Sequence, residues 1–133
     1  MSIIVGYVPT PVGEAAVTKA IEEAKLRGED LLIVNSARDG AMVDKSVASP
    51  EDLARVSEAA TAAGVAFEVL RPSHRDDLAE EILTLARDRN ASLIVIGLRQ
   101  RSQVGKFIMG SHAQRILLQA DRPVLAVKAG DAF

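Results

Sequence analysis

The residues with the most chemical promise lie between positions 94 and 118. There the apolar run Ile94-Val95-Ile96 is followed by Gly97, a basic stretch, then Gly110-Ser111 and a segment of helical period. A helix start carries unpaired backbone N–H groups and the positive end of the helix dipole, and both attract anions. Glycine, having no side chain, lets the backbone approach a phosphate closely. Residues 97–122 hold five basic side chains (Arg99, Arg101, Lys106, Arg115 and Arg122) and one acid, Asp121, in a chain of net charge −2. Charge alone does not separate an anion site from a solvated basic loop. The standard phosphate motifs fail. A P-loop needs Lys-Ser or Lys-Thr after its last glycine, but Gly105-Lys106 is followed by Phe107. The dinucleotide pattern G-x-G-x-x-G fails because Leu98 and Arg99 follow Gly97.

Other chemistries find little support. With no cysteine, disulfides, thiolate ligands and cysteine nucleophiles are excluded. The two histidines, His74 and His112, are far apart and form no metal-binding spacing. His112, beside Ser111, could approach a phosphate, but it has no catalytic pair nearby and a solvated role is the plainer reading. Asp76, Asp77, Glu80 and Glu81 read as a solvated helix face. Asp39 and Asp44 would bear on Mg²⁺ only if their loop folded over a ligand. No general base or metal set is in view, so the expectation is a protein that is not an enzyme.

The elements that must position this segment can be read from hydrophobic period. Residues 3–8, 31–34, 65–70, 93–96 and Val124–Val127 read as strands. Between them lie four amphipathic segments. Val17, Ala20, Ile21 and Ala24 mark the first, closed by Gly28. Ser49-Pro50-Glu51-Asp52 opens the second, with a capping serine, a proline suited to the first turn and acids at the positive helix end. Leu53, Val56, Ala60 and Ala63 form its stripe, and Gly64 stops it. Leu78, Ile82, Leu85 and Ala86 mark the third, and Ala113, Ile116, Leu117 and Ala120 the fourth. Residues 36–48 read as a long loop.

The order βαβαβαβαβ, with strands apolar on both faces, implies an α/β fold: a three-layer, doubly wound open sheet of five mainly parallel strands. Its 133 residues suit a single domain. In such sheets ligands lie beyond the carboxyl ends of the strands, where strand order reverses. The net charge argues against general nucleic-acid binding and against docking on anionic lipid. The apolar runs are too short to span a bilayer. Absence of cysteine and of a signal-like start favours the cytoplasm.

The spacing of the glycine segment resembles that of the universal stress protein family. Its nucleotide-binding members carry Gly, two residues, Gly, nine residues, then Gly-Ser or Gly-Thr. Here the corresponding residues are Gly97, Gln100 and Gly110-Ser111, so the second glycine is replaced. The resemblance extends through Gln114-Arg115-Ile116-Leu117 and residues 122–127, and includes residues 3–7 and 31–34. It implies a single domain of the adenine-nucleotide alpha-hydrolase-like type and a regulatory role in stress response. It also implies ATP, AMP or cyclic AMP as ligand, with the need for Mg²⁺ open, and a homodimer through the Val124–Val127 strand. An unidentified protein partner would read the bound state. Phosphate contacts would fall on Gly97, Gln100, Gly110 and Ser111, with help from Arg99, Arg101 and Lys106. Ribose and base contacts would come from Gly6, Tyr7, Val8, Pro9 and Thr10, and from Val34 or Asn35. Val8 stands where the family often has an aspartate, which removes an acceptor. Together with Gln100, this leaves a nucleotide-free homodimeric interaction module as the alternative, and a slow ATPase as a weaker one.

Overall fold

The computed structural model describes residues 1–35, 48–71, 78–98 and 111–128. Five strands alternate with four helices: β1 (Ser2–Gly6), α1 (Pro11–Arg27), β2 (Asp30–Val34), α2 (Pro50–Ala62), β3 (Phe67–Leu70), α3 (Leu78–Asp88), β4 (Ala91–Gly97), α4 (Ser111–Gln119) and β5 (Val124–Val127). The strands form one sheet in the order β3-β2-β1-β4-β5, and every adjacent pair is parallel.

Alternation along the strands sorts the core onto two faces. Ile3 and Val5 of β1, with Leu31, Ile33, Leu93 and Val95, pack beneath α1 and α2. Ile4, Leu32, Val34, Ile94 and Ile96 pack beneath α3 and α4. The buried stripe of α1 is the one expected, Val17, Ala20, Ile21 and Ala24, with Ala16 and Gly13 added at its start. Leu117 departs from expectation: it is exposed, and α4 rests on the sheet mainly through Ile116. The edge strand β3 is only half-buried, not apolar on both faces.

Local chemistry sets the element ends. Thr10 caps α1, its hydroxyl accepting from the Gly13 N–H at 3.1 Å, with Pro11 in the first turn. That cap and the Thr10 N–H to Val8 carbonyl bond of 2.8 Å turn the chain early, so β1 ends at Gly6, not at residue 8. The expected box at the start of α2 is present. Ser49 accepts from the Asp52 N–H at 3.1 Å, and Asp52 accepts from the Ser49 N–H at 3.0 Å. At its other end Val65 donates to the Ala60 carbonyl at 3.0 Å, closing the helix with Gly64 at φ +74°. Val65 thus belongs to the helix stop, and β3 begins two residues later than the apolar run suggests.

Candidate functional site

The strand order reverses between β1 and β4. From β1 the chain winds outward through β2 to β3, then α3 brings it back across the sheet to β4. α1 follows β1 on one face and α4 follows β4 on the other, so a crevice opens beyond Gly6 and Gly97. A cavity of about 480 Å³, its open mouth included, occupies that position. Gly6 and Val8 contribute from β1 and its exit, Gly97 and Ile96 from β4. Ile82 and Leu78 of α3 and Ile116 of α4 supply apolar walls. The first turn of α1 closes one side through Val12 and Gly13, and His112 and Ala113 close another.

The glycines of this region serve close packing. A Cβ on Gly13 would sit 1.8 Å from the Val8 carbonyl oxygen, and one on Gly97 would sit 2.9 Å from the Val12 carbonyl oxygen. A Cβ on Gly6 would press the Ile82 methyl at 3.1 Å. Part of the rim is therefore main chain against main chain: the β1 exit folds onto α1, and α1 lies against the end of β4.

The expected site residues divide into three groups. Gly6, Val8 and Gly97 line the cavity. Tyr7, on the opposite face of the sheet by alternation, is buried in the core beneath α1 and α2. Its hydroxyl donates to Glu14, so Tyr7 ties the β1 exit to α1, and Glu14 in turn accepts from Arg55 at 2.7 Å, which ties α1 to α2. Burial, then the Glu14 hydrogen bond, push the Tyr7 phenol far above its usual range. Thr10 serves as the α1 cap, with Pro9 between it and Val8. Val34 is buried in the core beneath α3 and α4. Asn35 is fully buried; its amide donates to the Tyr7 carbonyl at 2.9 Å and its oxygen accepts from the Ala48 N–H at 3.1 Å. It thereby fastens the β1 exit to the start of α2. In the third group, Arg99, Gln100, Arg101, Lys106 and Gly110 lie outside the described residues, as do Asp39, Asp44, His74, Asp76 and Asp77. Ser111 is the first residue of α4.

Two members of the basic cluster have structural partners. Arg115 donates to Glu80 of α3 at 2.7 Å, so Glu80 is part of a helix-to-helix tie and not simply solvated. Arg122 donates to the carbonyls of Ala86 and Ala91, the latter at 2.9 Å, and to Asp121 at 2.9 Å. Excess positive charge near the site therefore rests on fewer residues than the sequence count suggests. The apolar walls from Ile82, Leu78 and Ile116 were missed as site residues because their helical period marks them equally as core. Among the described residues, no group of three histidine, aspartate or glutamate side chains could hold a metal, and no helix is long and apolar enough to cross a membrane.

The family model for the universal stress protein family matches residues 1–128. The chain belongs to the universal stress protein family. A universal stress protein of Mycolicibacterium smegmatis is 44% identical over 126 residues, covering 95% of this chain and 96% of that protein. The structure of a universal stress protein from Archaeoglobus fulgidus superposes with a TM-score of 0.80 at 30% identity, covering 96% of this chain and 98% of the other. A universal stress protein from the same organism, solved in complex with dAMP, gives 0.74 at 26% identity with the same coverage. Membership accounts for the five-stranded parallel sheet flanked by four helices and for the crevice at its reversal point.

Proposed function

We propose that this universal stress protein is a cytoplasmic, homodimeric regulator that binds an adenine nucleotide and performs no catalysis. The observation that carries the reading is the apolar cavity at the β1–β4 reversal point, walled by Val8, Ile82, Ile96 and Ile116. A flat base suits such walls, and the cavity lies where ligands of doubly wound sheets sit, beyond the carboxyl ends of the strands at the reversal point. The dAMP complex of the Archaeoglobus relative supports the same ligand class. Family membership supports the proposed stress-response role and protein partner, and the place of β5 at the sheet edge supports the proposed pairing.

Thermal unfolding with ATP, ADP, AMP and cyclic AMP, with and without Mg²⁺, tests this. At a hundredfold excess over Kd a ligand stabilises by about 2.7 kcal/mol, a readily measured shift. Stabilisation by at least one adenine nucleotide, with no phosphate release, is expected. No shift with any of them at millimolar concentration would remove the binding reading.

A second reading, a nucleotide-free interaction module, is favoured by Val8, which puts an aliphatic side chain in the cavity where the family often has an acid. Under the binding reading, Val8→Asp strengthens binding of a ribonucleotide. Under the second reading it does not.

A further inference from the structure

Tyr7 is anchored through both its backbone and its side chain at the point where the crevice opens. β1 pairs with β4 only as far as Val5, which lies opposite Val95. Its pairing with β2 runs on to Gly6 and Val34, and beyond the strand the Tyr7 N–H donates to the Val34 carbonyl at 2.9 Å. The Tyr7 carbonyl accepts from the Asn35 amide at 2.9 Å. The β1 exit therefore leans on β2 and parts from β4, which leaves the crevice on the β4 side. The side chain adds a separate hold. The phenol crosses to α1 and donates to Glu14, seven residues on. Each end of that bond has a neighbour on the cavity side. Val8 follows Tyr7, Gly13 precedes Glu14, and both Val8 and Gly13 line the cavity.

We propose that Tyr7 and Glu14 are positioning residues for the crevice ligand, holding from behind the two cavity-lining segments that contain Val8 and Gly13. This rests on the adenine-nucleotide reading and assigns what keeps the rim of that site in shape. The packing of Gly13 on the Val8 carbonyl limits how closely the β1 exit and α1 approach, but repulsion does not stop them parting. The Thr10 bonds fix the turn itself, and the Tyr7–Glu14 bond spans it from side to side. That bond starts from a buried phenol and ends on a carboxylate, which makes it stronger than one between neutral groups. Glu14 is steadied in turn by Arg55, which also donates to Asp52 of the α2 capping box at 3.0 Å. Neither Tyr7 nor Glu14 is among the described lining residues, so they act on a ligand through Val8 and Gly13. A ligand that needs the rim in place binds in proportion to the fraction of molecules that have it.

Calorimetric titration of the full chain with adenosine 5′-monophosphate and with ATP provides the test. The proteins are wild type, Tyr7→Phe, Glu14→Ala, Glu14→Gln, the double variant Tyr7→Phe with Glu14→Ala, and Ser49→Ala. Loss of one hydrogen bond to a charged group should cut the fraction with the rim in place, and with it the affinity, about tenfold in Tyr7→Phe and in Glu14→Ala. The double variant should lose no more than either single one, because the two residues act through one bond. Glu14→Gln keeps an acceptor for the phenol and should recover part of the loss. Ser49→Ala removes the α2 cap, so it should lose stability and keep its affinity, which separates positioning from a general weakening of the fold. With one tyrosine and no tryptophan in the chain, emission reports Tyr7 alone, and it should brighten in Glu14→Ala, where the quenching carboxylate is gone. Circular dichroism checks that each variant folds. Unchanged affinity in Tyr7→Phe, an additive loss in the double variant, an equal loss in Ser49→Ala or unchanged emission in Glu14→Ala overturns the assignment while the nucleotide reading stands. If the wild type binds neither nucleotide, that reading fails and the assignment falls with it.

Discussion

Replacing Gly13 by alanine tests whether the cavity rim is as rigid as its main-chain contacts imply. The position is in the first turn of α1, where alanine would ordinarily stabilise a helix by about 1 kcal/mol relative to glycine. Here the added Cβ would lie 1.8 Å from the Val8 oxygen and 2.8 Å from its carbonyl carbon. The carbonyl would have to withdraw by at least about 1.2 Å to reach the 3.0 Å below which real contacts essentially never occur. It cannot withdraw freely, because it also accepts from the Thr10 N–H at 2.8 Å, and Thr10 is the cap of the same helix. Overpacking costs about 1–3 kcal/mol, and a disturbed hydrogen bond about 1 more. Against the propensity gain, the net loss is about 2 kcal/mol, or roughly 8 °C in Tm for a chain of this size. Urea unfolding measures the first quantity and calorimetry the second. Gly64→Ala serves as control. Its φ of +74° makes alanine strained, but no atom lies within 4 Å of the new Cβ. The control should lose about 1 kcal/mol and keep its ligand affinity, whereas Gly13→Ala should lose both. A Gly13→Ala protein with an unchanged or higher urea midpoint would refute the argument that backbone contact fixes the rim.

Asn35→Ala should destabilise by about 2–4 kcal/mol in urea unfolding, because it strands the Tyr7 carbonyl and the Ala48 N–H in the interior. Asn35→Asp should be unstable at neutral pH and recover in part in acid, where a protonated carboxyl can again donate to Tyr7. The Asp52 carboxyl is held below its usual pKa by the Ser49 N–H, then by the Ser49 hydroxyl and by Arg55. Its stabilising effect is therefore full above the ordinary carboxylate pKa of about 3.9 and lost as pH falls through the lower folded value. Urea midpoints of wild type and Asp52→Asn should accordingly converge in acid, while Ser49→Ala should cost about 1 kcal/mol at neutral pH.

Much of the architecture was legible because independent signals agreed on it. At the start of α2 a capping serine, a proline and two acids stand together, and the structure starts the helix there. The five apolar runs located the strands, and β5 matches its reading at both ends. Boundaries slipped where one residue answers to two elements. Val65 has strand character but closes α2, and Val8 is apolar but belongs to the turn set by the Thr10 cap. The site was only half legible. A reversal point marks the strand ends, hence Gly6 and Gly97, but not the packing of Gly13 on Val8, which pairs backbone atoms that no pattern of side chains encodes. The family resemblance put a ligand contact at Val34 or Asn35, and the part Asn35 plays as a buried clamp depends on Ala48, thirteen residues on. Counting charges overstated the basic cluster, since Arg115 and Arg122 are turned to Glu80 and to backbone carbonyls.

The contact of Gly13 with Val8 and of Gly97 with Val12 bears on how this chain can diverge. Main-chain atoms are common to all residues, so a mouth shaped by them keeps its form while the side chains around it change. What can change cheaply is the small set of lining side chains, above all Val8 and Leu78. The scaffold therefore separates inheritance of shape from choice of ligand. A descendant can exchange one small anion for another by one or two substitutions and leave the fold untouched.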